Sequence, residues 1–364
     1  MLQFFPSRTL TWYLAKLFIG RILAVLLMLV LVLQALDLLS ESGKILGVAG
    51  NDQSDLWHYA SLRIPQLVAR FLPYSVLLAT IITLATLNQN SEVIAMKASG
   101  MSAHQVLAPL LMTAALVSAI SFVFNERVVT RSTAALKAWQ AVEYKAIPKD
   151  PATRTNVYFR DGTDILAAGA VSGRGAGTVM ENVTWYRRDA NGMVVEQLRS
   201  PRATFANPGW TLENPVRFDV ASTVRTELPT RVVAQDVTPA QVAITKVDAD
   251  AQDAITLYRS IQALKAAGRR TSELEGKWWH KFSGPLSALL MPLLGAIAAF
   301  GLARSGQLLI RAVLGMALGF AYFVVDNAAL AMGNFGAYPP LIAAWAPFVL
   351  FALIGETVLV RTEE

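Results

Sequence analysis

Six apolar runs dominate the chain, and each is about as long as the hydrocarbon core of a bilayer is thick. A helix needs roughly 20 mostly apolar residues to cross about 30 Å of hydrocarbon. Residues 17–36, 64–87 and 106–124 meet that length, the second interrupted by Arg70 and Pro73. Residues 282–302, 308–330 and 340–360 meet it again. The first run is too long for a signal-peptide core and lacks an A-x-A cleavage site, so it reads as a retained span. Hydrophobic residues make up 54% of the chain and charged residues 16%. Soluble proteins sit near roughly 45–50% and about 25%. A disordered chain, a collagen and a coiled coil are all excluded.

The charge is unevenly placed. Most of it falls between Glu126 and Lys277, so two membrane blocks flank a segment of ordinary soluble composition. The net charge of +6 does not mark a nucleic-acid reader, because no module carries a basic stripe with stacking aromatics. Arg8, Lys16, Arg21, Lys97, Arg304, Arg311 and Arg361 lie near span ends on one side. The short loops of the other side hold Lys44 and little else. Basic residues stay cytoplasmic, so both termini are expected in the cytoplasm and the middle segment across the membrane.

The middle segment reads as β structure. Residues 157–160 and 164–167 flank Asp161-Gly162, and residues 179–188 and 193–199 flank Asp189-Ala190-Asn191-Gly192. Residues 203–205 and 210–212 flank Asn207-Pro208-Gly209, and 216–220 alternates apolar and polar. Short strands with regular turn signals predict a sandwich, jelly roll or barrel. Asp248, Asp250 and Asp253 then cap an amphipathic helix over 254–267, ended by Gly268.

Catalytic constellations are missing. There is no cysteine, which removes thiol chemistry, thiolate metal sites and disulfides. No G-x-x-x-x-G-K-[ST], H-E-x-x-H or G-x-S-x-G occurs. The chain is therefore no ATPase by itself, and no catalytic residue, metal or cofactor is expected. His58, His104 and His280 read as interfacial or capping side chains.

Ionisable residues at membrane depth carry more information, because burying an unpaired charge there costs several kcal/mol. Asp37 ends the first span, Arg63 and Arg70 share a face of the second, and Asp326 lies late in the fifth. Arg127, Arg131 and Lys137 follow the third, and Lys277 and Lys281 open the fourth. These cations either ring a site for a phosphorylated amphiphile or snorkel and form ion pairs, such as Arg70 with Asp326. Gly315-x-x-x-Gly319 permits close helix contact. Between spans two and three, residues 88–101 form a short amphipathic helix, with Ser91 placed to cap it and Gly100 to end it. Such a helix is either a plain connection or a dock for a soluble partner.

Three stretches resemble a known family. Ser91-Glu92-Val93-Ile94-Ala95-Met96-Lys97-Ala98-Ser99-Gly100 is similar to the motif S-E-x-x-x-x-x-A-S-G of the YjgP/YjgQ family, the lipopolysaccharide export permeases LptF and LptG. Trp279-His280-Lys281 with Pro285-Leu286-Ser287, and Gly319 through Asp326, extend the likeness over nearly the whole chain. The residues from Gln34 to Asp37, the helix after Asp248 and Trp279-x-Lys281 lie nearer the LptG branch. The resemblance implies an α+β membrane protein of six transmembrane helices, three on each side of an inserted periplasmic β-jellyroll. Its expected parts are helices 1–3 with a cytoplasmic coupling helix at 90–100 (residues 1–125), the jellyroll (126–250), a connecting helix (251–276) and helices 4–6 (277–364).

It further implies a non-catalytic permease subunit in the bacterial inner membrane. Its partners would be an LptF-like permease, an LptB-like ATPase dimer that binds the ATP, an LptC-like bridge protein, lipopolysaccharide and membrane lipids. Glu92, Met96 and Gly100 would couple to the ATPase. Lys44, Arg63, Arg70, Arg131, Lys137, Lys277 and Lys281 are candidates for the lipid phosphates by location, and Asp37 matches a family acid. The chain departs from the LptG pattern at Gln34, where a lysine can stand. The rival readings are another lipid or lipoprotein permease, and a membrane-anchored periplasmic sensor or enzyme.

Overall fold

The apolar runs fold as helices, several of them longer than a membrane requires. A computed structural model describes residues 6–146, 154–173, 175–239, 242, 247–266, 269–300 and 308–361. The chain divides into two compact units. One comprises Met1–Ala146, Asp248–Gln262 and Arg270–Glu364, the other Ile147–Val247 and Ala263–Arg269.

The first unit is helical. Helix α1, Arg8–Leu46, runs 39 residues and starts where the Ser7 hydroxyl accepts from the Leu10 amide. Helix α2, Gln53–Gln89, opens on a capping box between Asp52 and Asp55. The short helix α3, Glu92–Ala98, leads into α4, Ala103–Phe124, which opens on a box between Ser102 and Gln105. These boxes satisfy amide groups that a helix start leaves without partners. Helix α4 continues through a π turn, Asn125–Val129, into α5, Thr130–Ala141. Helices α6 (Ala254–Ala266), α7 (Ser272–Phe300), α8 (Leu308–Asn334) and α9 (Pro340–Arg361) follow.

Among the described residues, five helices are long and apolar enough to cross a membrane: Arg8–Leu46, Gln53–Gln89, Ala103–Ala141, Val313–Asn334 and Pro340–Arg361. The run expected at 282–302 falls on α7, and its last two residues lie outside the described ones. Residues 126–146, expected with the β segment, instead belong to the helical unit. The polar Asn125-Glu126-Arg127 looks like a helix end, yet no proline or glycine stands there to stop the helix.

Helix α7 lies against α2, α4, α8 and α9. Val76, Leu84, Leu107, Leu110, Met291 and Leu294 form the middle of this core. Helices touch closely where glycine stands. A Cβ on Gly319 would sit 2.2 Å from Leu77 of α2, and one on Gly333 2.5 Å from the Cβ of Ala343 in α9. The Ser118 hydroxyl of α4 donates to the Pro285 carbonyl of α7 at 2.8 Å.

Among the described residues, the second unit holds one antiparallel sheet of eight strands. They are β1 (Arg154–Asp161), β2 (Asp164–Ser172), β3 (Val179–Arg188), β4 (Val194–Phe205), β5 (Trp210–Glu213), β6 (Val216–Asp219), β7 (Arg225–Glu227) and β8 (Thr230–Val233). Strands β1 to β4 form a meander. Strand β4 then splits its free edge, with Glu196–Arg199 pairing β6 and Arg202–Phe205 pairing β5. The expected hairpins are all present.

A crease crosses this sheet. Gly169 of β2 lies level with Asn182 of β3, and Asn182 with Pro201 of β4; the register is the same on both sides, but these positions drop out of the ladder. Beyond them, Asn214-Pro215 parts β5 from β6 and Leu228-Pro229 parts β7 from β8. The Asn214 amide donates to Pro229 O, and the Leu228 amide to Pro215 O. Proline gives no N–H to a ladder, and Asn182 and Asn214 take positive φ angles of 52° and 46°. A Cβ on Gly169 would lie 2.9 Å from the Cβ of Asn182, so glycine is needed there.

Burial changes phase at the same line. In β2, Leu166 and Ala168 are buried, then Val171; in β3, Met180, then Val183 and Trp185; in β4, Leu198 and Ser200, then Ala203. Alternation by two would otherwise carry the apolar side outward. The shared irregularity keeps one face inward on both sides of the crease. Trp210, fully buried, donates its indole N–H to the Val237 carbonyl at 2.7 Å. Glu196 is buried and takes Arg187 at 3.2 Å and Arg217 at 2.7 Å.

Two outcomes are expected. Gly333→Ala forces α8 and α9 apart, because Ala343 has no flexible end to yield; it costs about 1–3 kcal/mol and lowers the melting temperature in detergent. Burial, and then the neighbouring Asp236 carboxylate, raise the Asp161 carboxyl above its ordinary range. A carboxyl raised in the folded state loses stability as pH rises from its ordinary value through the raised one. Asp161→Asn therefore raises the thermal stability of the β unit at neutral pH, and the gain shrinks on acidification.

Candidate functional site

Two places in the helical unit gather the residues of interest, one at each end of the bundle. The first is a cavity of about 670 Å³ near the end where α1 gives way to α2. Its walls come from α2, the π turn with α5, α7 and α8, and include Arg63, Arg70, Lys137, Lys277 and Lys281. One cavity thus brings together five of the seven cations singled out from the sequence. Lys44 instead borders a second hollow beside Glu41 and Tyr144. Arg131 is exposed and does not line the first cavity.

The cations are not a bare ring, because acids of the same chain answer most of them. Arg63 forms a two-armed pair with Asp37, its Nε and Nη2 each at 3.1 Å from an oxygen. The Tyr59 hydroxyl donates to the same carboxylate at 2.6 Å. Lys281 meets Glu126 at 2.9 Å, and the Ala254 amide donates to the other oxygen of Glu126. Lys137 pairs with Asp248 and, at 3.8 Å, Asp250; Lys277 reaches Asp250 at 3.8 Å and Glu273 at 3.6 Å. Lys44 pairs with Glu41 at 2.8 Å. Burial works against ionised Asp248, yet Lys137 and the Asp250 amide outweigh it and hold its carboxyl below the ordinary range.

Arg70 is the exception in the cavity. It has no acid partner among the described residues. The pair with Asp326, one alternative in the sequence, is not formed; Asp326 instead meets His280, with Nε2 at 3.0 Å from Oδ2. Asp326 is buried, and its Oδ1 has no hydrogen-bond partner among the described residues. One turn away, Tyr74 of α2 stacks on Phe323 of α8 with ring centres 4.0 Å apart.

The second place is α3, at the opposite end of the bundle. Ser91 does not cap it: its φ is 60° and its side chain makes no capping bond. Gly100, at φ 88°, ends it as expected. Val93 and Met96 are buried in the bundle core, so Met96 seats the helix, while Ile94 and Lys97 are exposed. Glu92 is tied back to the bundle. The Tyr13 hydroxyl lies 3.2 Å from Oε2, and Asn90 Nδ2 lies 3.3 Å from Oε1.

Sequence reasoning missed Glu126, His280 and Tyr13 as partners in these places. Each meets a residue far along the chain, and no local spacing announces it. Glu126 alone carried a signal, being an acid beside the end of an apolar run. Removing one member of a buried pair costs about 3–5 kcal/mol. Glu126→Ala strands Lys281 and also deprives the Ala254 amide of its acceptor. It is expected to lower the melting temperature more than Lys281→Met does, as measured by thermal unfolding in detergent.

Comparison with known proteins identifies the family. The model of the family "Lipopolysaccharide export system permease LptF/LptG" matches residues 12–361. The lipopolysaccharide export system permease protein LptG of Escherichia coli K12 is 24% identical over 369 residues, covering 98% of this chain and 99% of that protein. LptG of Haemophilus influenzae is 22% identical over 355 residues, covering 95% and 96%. With apolar helices enough for several membrane crossings, a separate antiparallel sheet and a family match over nearly its whole length, the chain is a multi-pass membrane protein and belongs to the LptF/LptG family of lipopolysaccharide export permeases.

Proposed function

We propose that the chain is one permease subunit of an ATP-driven exporter that takes lipopolysaccharide from the inner membrane and hands it to a periplasmic bridge. The match of the family model from residue 12 to residue 361 carries this reading. In it α7 is the fourth of six spans, both termini are cytoplasmic, and the creased sheet is a periplasmic jellyroll. The positive-inside distribution supports that orientation. The assembly would hold an LptF-like sibling, an LptB-like ATPase dimer and an LptC-like bridge protein. ATP would be bound and hydrolysed by the ATPase, with no catalytic group or cofactor in this chain.

The cavity suits a phosphorylated lipid whose phosphates displace the chain's own carboxylates. Arg70 is the first contact, because it gives up no internal pair. Lys137, Lys277, Lys281 and Arg63 exchange Asp248, Asp250, Glu126 and Asp37 for phosphate. Such an exchange keeps each cation paired throughout, which a low-dielectric site demands. Lys44 and Arg131, outside this cavity, would meet phosphate only on the way in or out.

Helix α3 is the docking element. Its buried side, Val93 and Met96, seats it on the bundle, and its exposed side, with Ile94 and Lys97, is presented outward. Glu92 lies at its start, and Gly100 turns the chain back into α4.

Purification of the tagged chain in mild detergent, with mass spectrometry of proteins and lipids, tests this. A related permease, a P-loop ATPase and lipopolysaccharide are expected together. Glu92→Ala is expected to weaken ATPase retention by roughly tenfold, the effect of losing a charge-assisted contact. Intact ATPase retention and transport in Glu92→Ala would remove the docking role. A lone, lipid-free protein would remove the export role.

A further inference from the structure

Helix α1 touches both places described above. At one end the Tyr13 hydroxyl lies 3.2 and 3.5 Å from the two carboxylate oxygens of Glu92 in α3. Near the other end Asp37 holds Arg63, which lines the cavity. No proline interrupts α1 between these two residues, so they stand about 36 Å apart on one helical rod at 1.5 Å per residue. Leu14, Phe18 and Ile22 fix the first half of α1 in the bundle core. Beyond Ile22, buried positions thin out to Val30, Gln34 and Ile45, while Leu23, Leu27, Met28 and Leu31 are exposed. The second half is held by the Asp37–Arg63 pair together with the packing of Leu38 and Ile45 on Tyr59, Leu136 and Trp139.

Helix α3, in contrast, has weak local support at its start. Its preceding residue, Ser91, makes no capping bond, and the helix is seven residues long. Its orientation depends on Val93 and Met96 beneath it and on Glu92 at its side.

We propose that Tyr13 is a positioning residue: its hydroxyl holds Glu92 and links the docking helix α3 to α1, so that displacement of α3 is carried along α1 to the Asp37–Arg63 wall of the cavity. This rests on the docking role proposed for α3. The link is one hydrogen bond to a charged group, followed by a stiff helix and a two-armed ion pair, a contiguous physical route between the two ends.

Tyr13→Phe removes the hydroxyl and little else. In the reconstituted complex with its ATPase and sibling permease, lipopolysaccharide moved per ATP hydrolysed is expected to fall roughly three- to tenfold, the net effect of one hydrogen bond at an exposed position. ATPase retention is expected to stay at the unsubstituted level. Hydrogen exchange of the full chain in nanodiscs supplies a second readout that needs no partner. The α3 amides are expected to exchange several-fold faster in Tyr13→Phe and in Glu92→Ala. Glu92→Gln, which keeps an acceptor for Tyr13, is expected to leave them protected. An unchanged transport-to-ATP ratio in Tyr13→Phe overturns the proposal, and so does unchanged α3 exchange in Tyr13→Phe or Glu92→Ala. If Tyr13→Phe has no effect while Glu92→Ala releases the ATPase, the link fails and the docking role stands. If Glu92→Ala keeps both the ATPase and transport, the docking role fails first.

Discussion

Glu126 is the residue on which the charged end of the helical unit turns. Its carboxylate accepts from Lys281 of α7 and from the Ala254 amide at the start of α6, while its own backbone belongs to the π turn between α4 and α5. Three segments distant in sequence thus converge on one carboxylate. The constraint behind this is simple. Charge away from water must be matched by charge or by donors of the same chain. The same rule makes Asp37 take Arg63 and Tyr59, and Asp326 take His280. Each pair joins two helices, so neutralising the charge also fixes how the helices lie.

This bears on how the cavity could work as a lipid site. A ring of bare lysines and arginines would repel itself and would hold phosphate too firmly to release it. Cations already answered by acids can trade one anion for another at smaller net cost. Arg70, without such a partner among the described residues, differs from its neighbours in kind. In the proposed lipid site it would give an incoming phosphate a contact that breaks no internal pair.

Much of the architecture was legible in the sequence. Apolar length marked the helices, and turn residues marked the hairpins from β1 to β5. The failures have physical causes. Helix α4 runs past Asn125-Glu126-Arg127 because polarity alone does not end a helix. Ser91 looks like a cap but sits in a left-handed conformation and makes no capping bond. Asp326 has His280 as its partner although Arg70 is on a facing helix, and only the packing of α7 against α8 decides it. Pairs such as 126 with 281 are long-range facts, and composition holds no trace of them. The family likeness pointed to α3 and its Glu92. It did not indicate that Met96 faces inward or that Tyr13 reaches across from α1.

The crease in the sheet has a consequence for how this unit can vary. Gly169, Asn182 and Pro201 sit on adjacent strands at one level, and at each the inward face shifts by a single residue. Inserting or deleting one residue within a strand would shift its crease point relative to its neighbours and turn that strand's apolar side outward over half its length. Changes of length are therefore confined to the tips, such as the turn at Asp189–Gly192. The strands behave as pleats of one folded sheet of paper, which can be exchanged as a set but not trimmed one at a time.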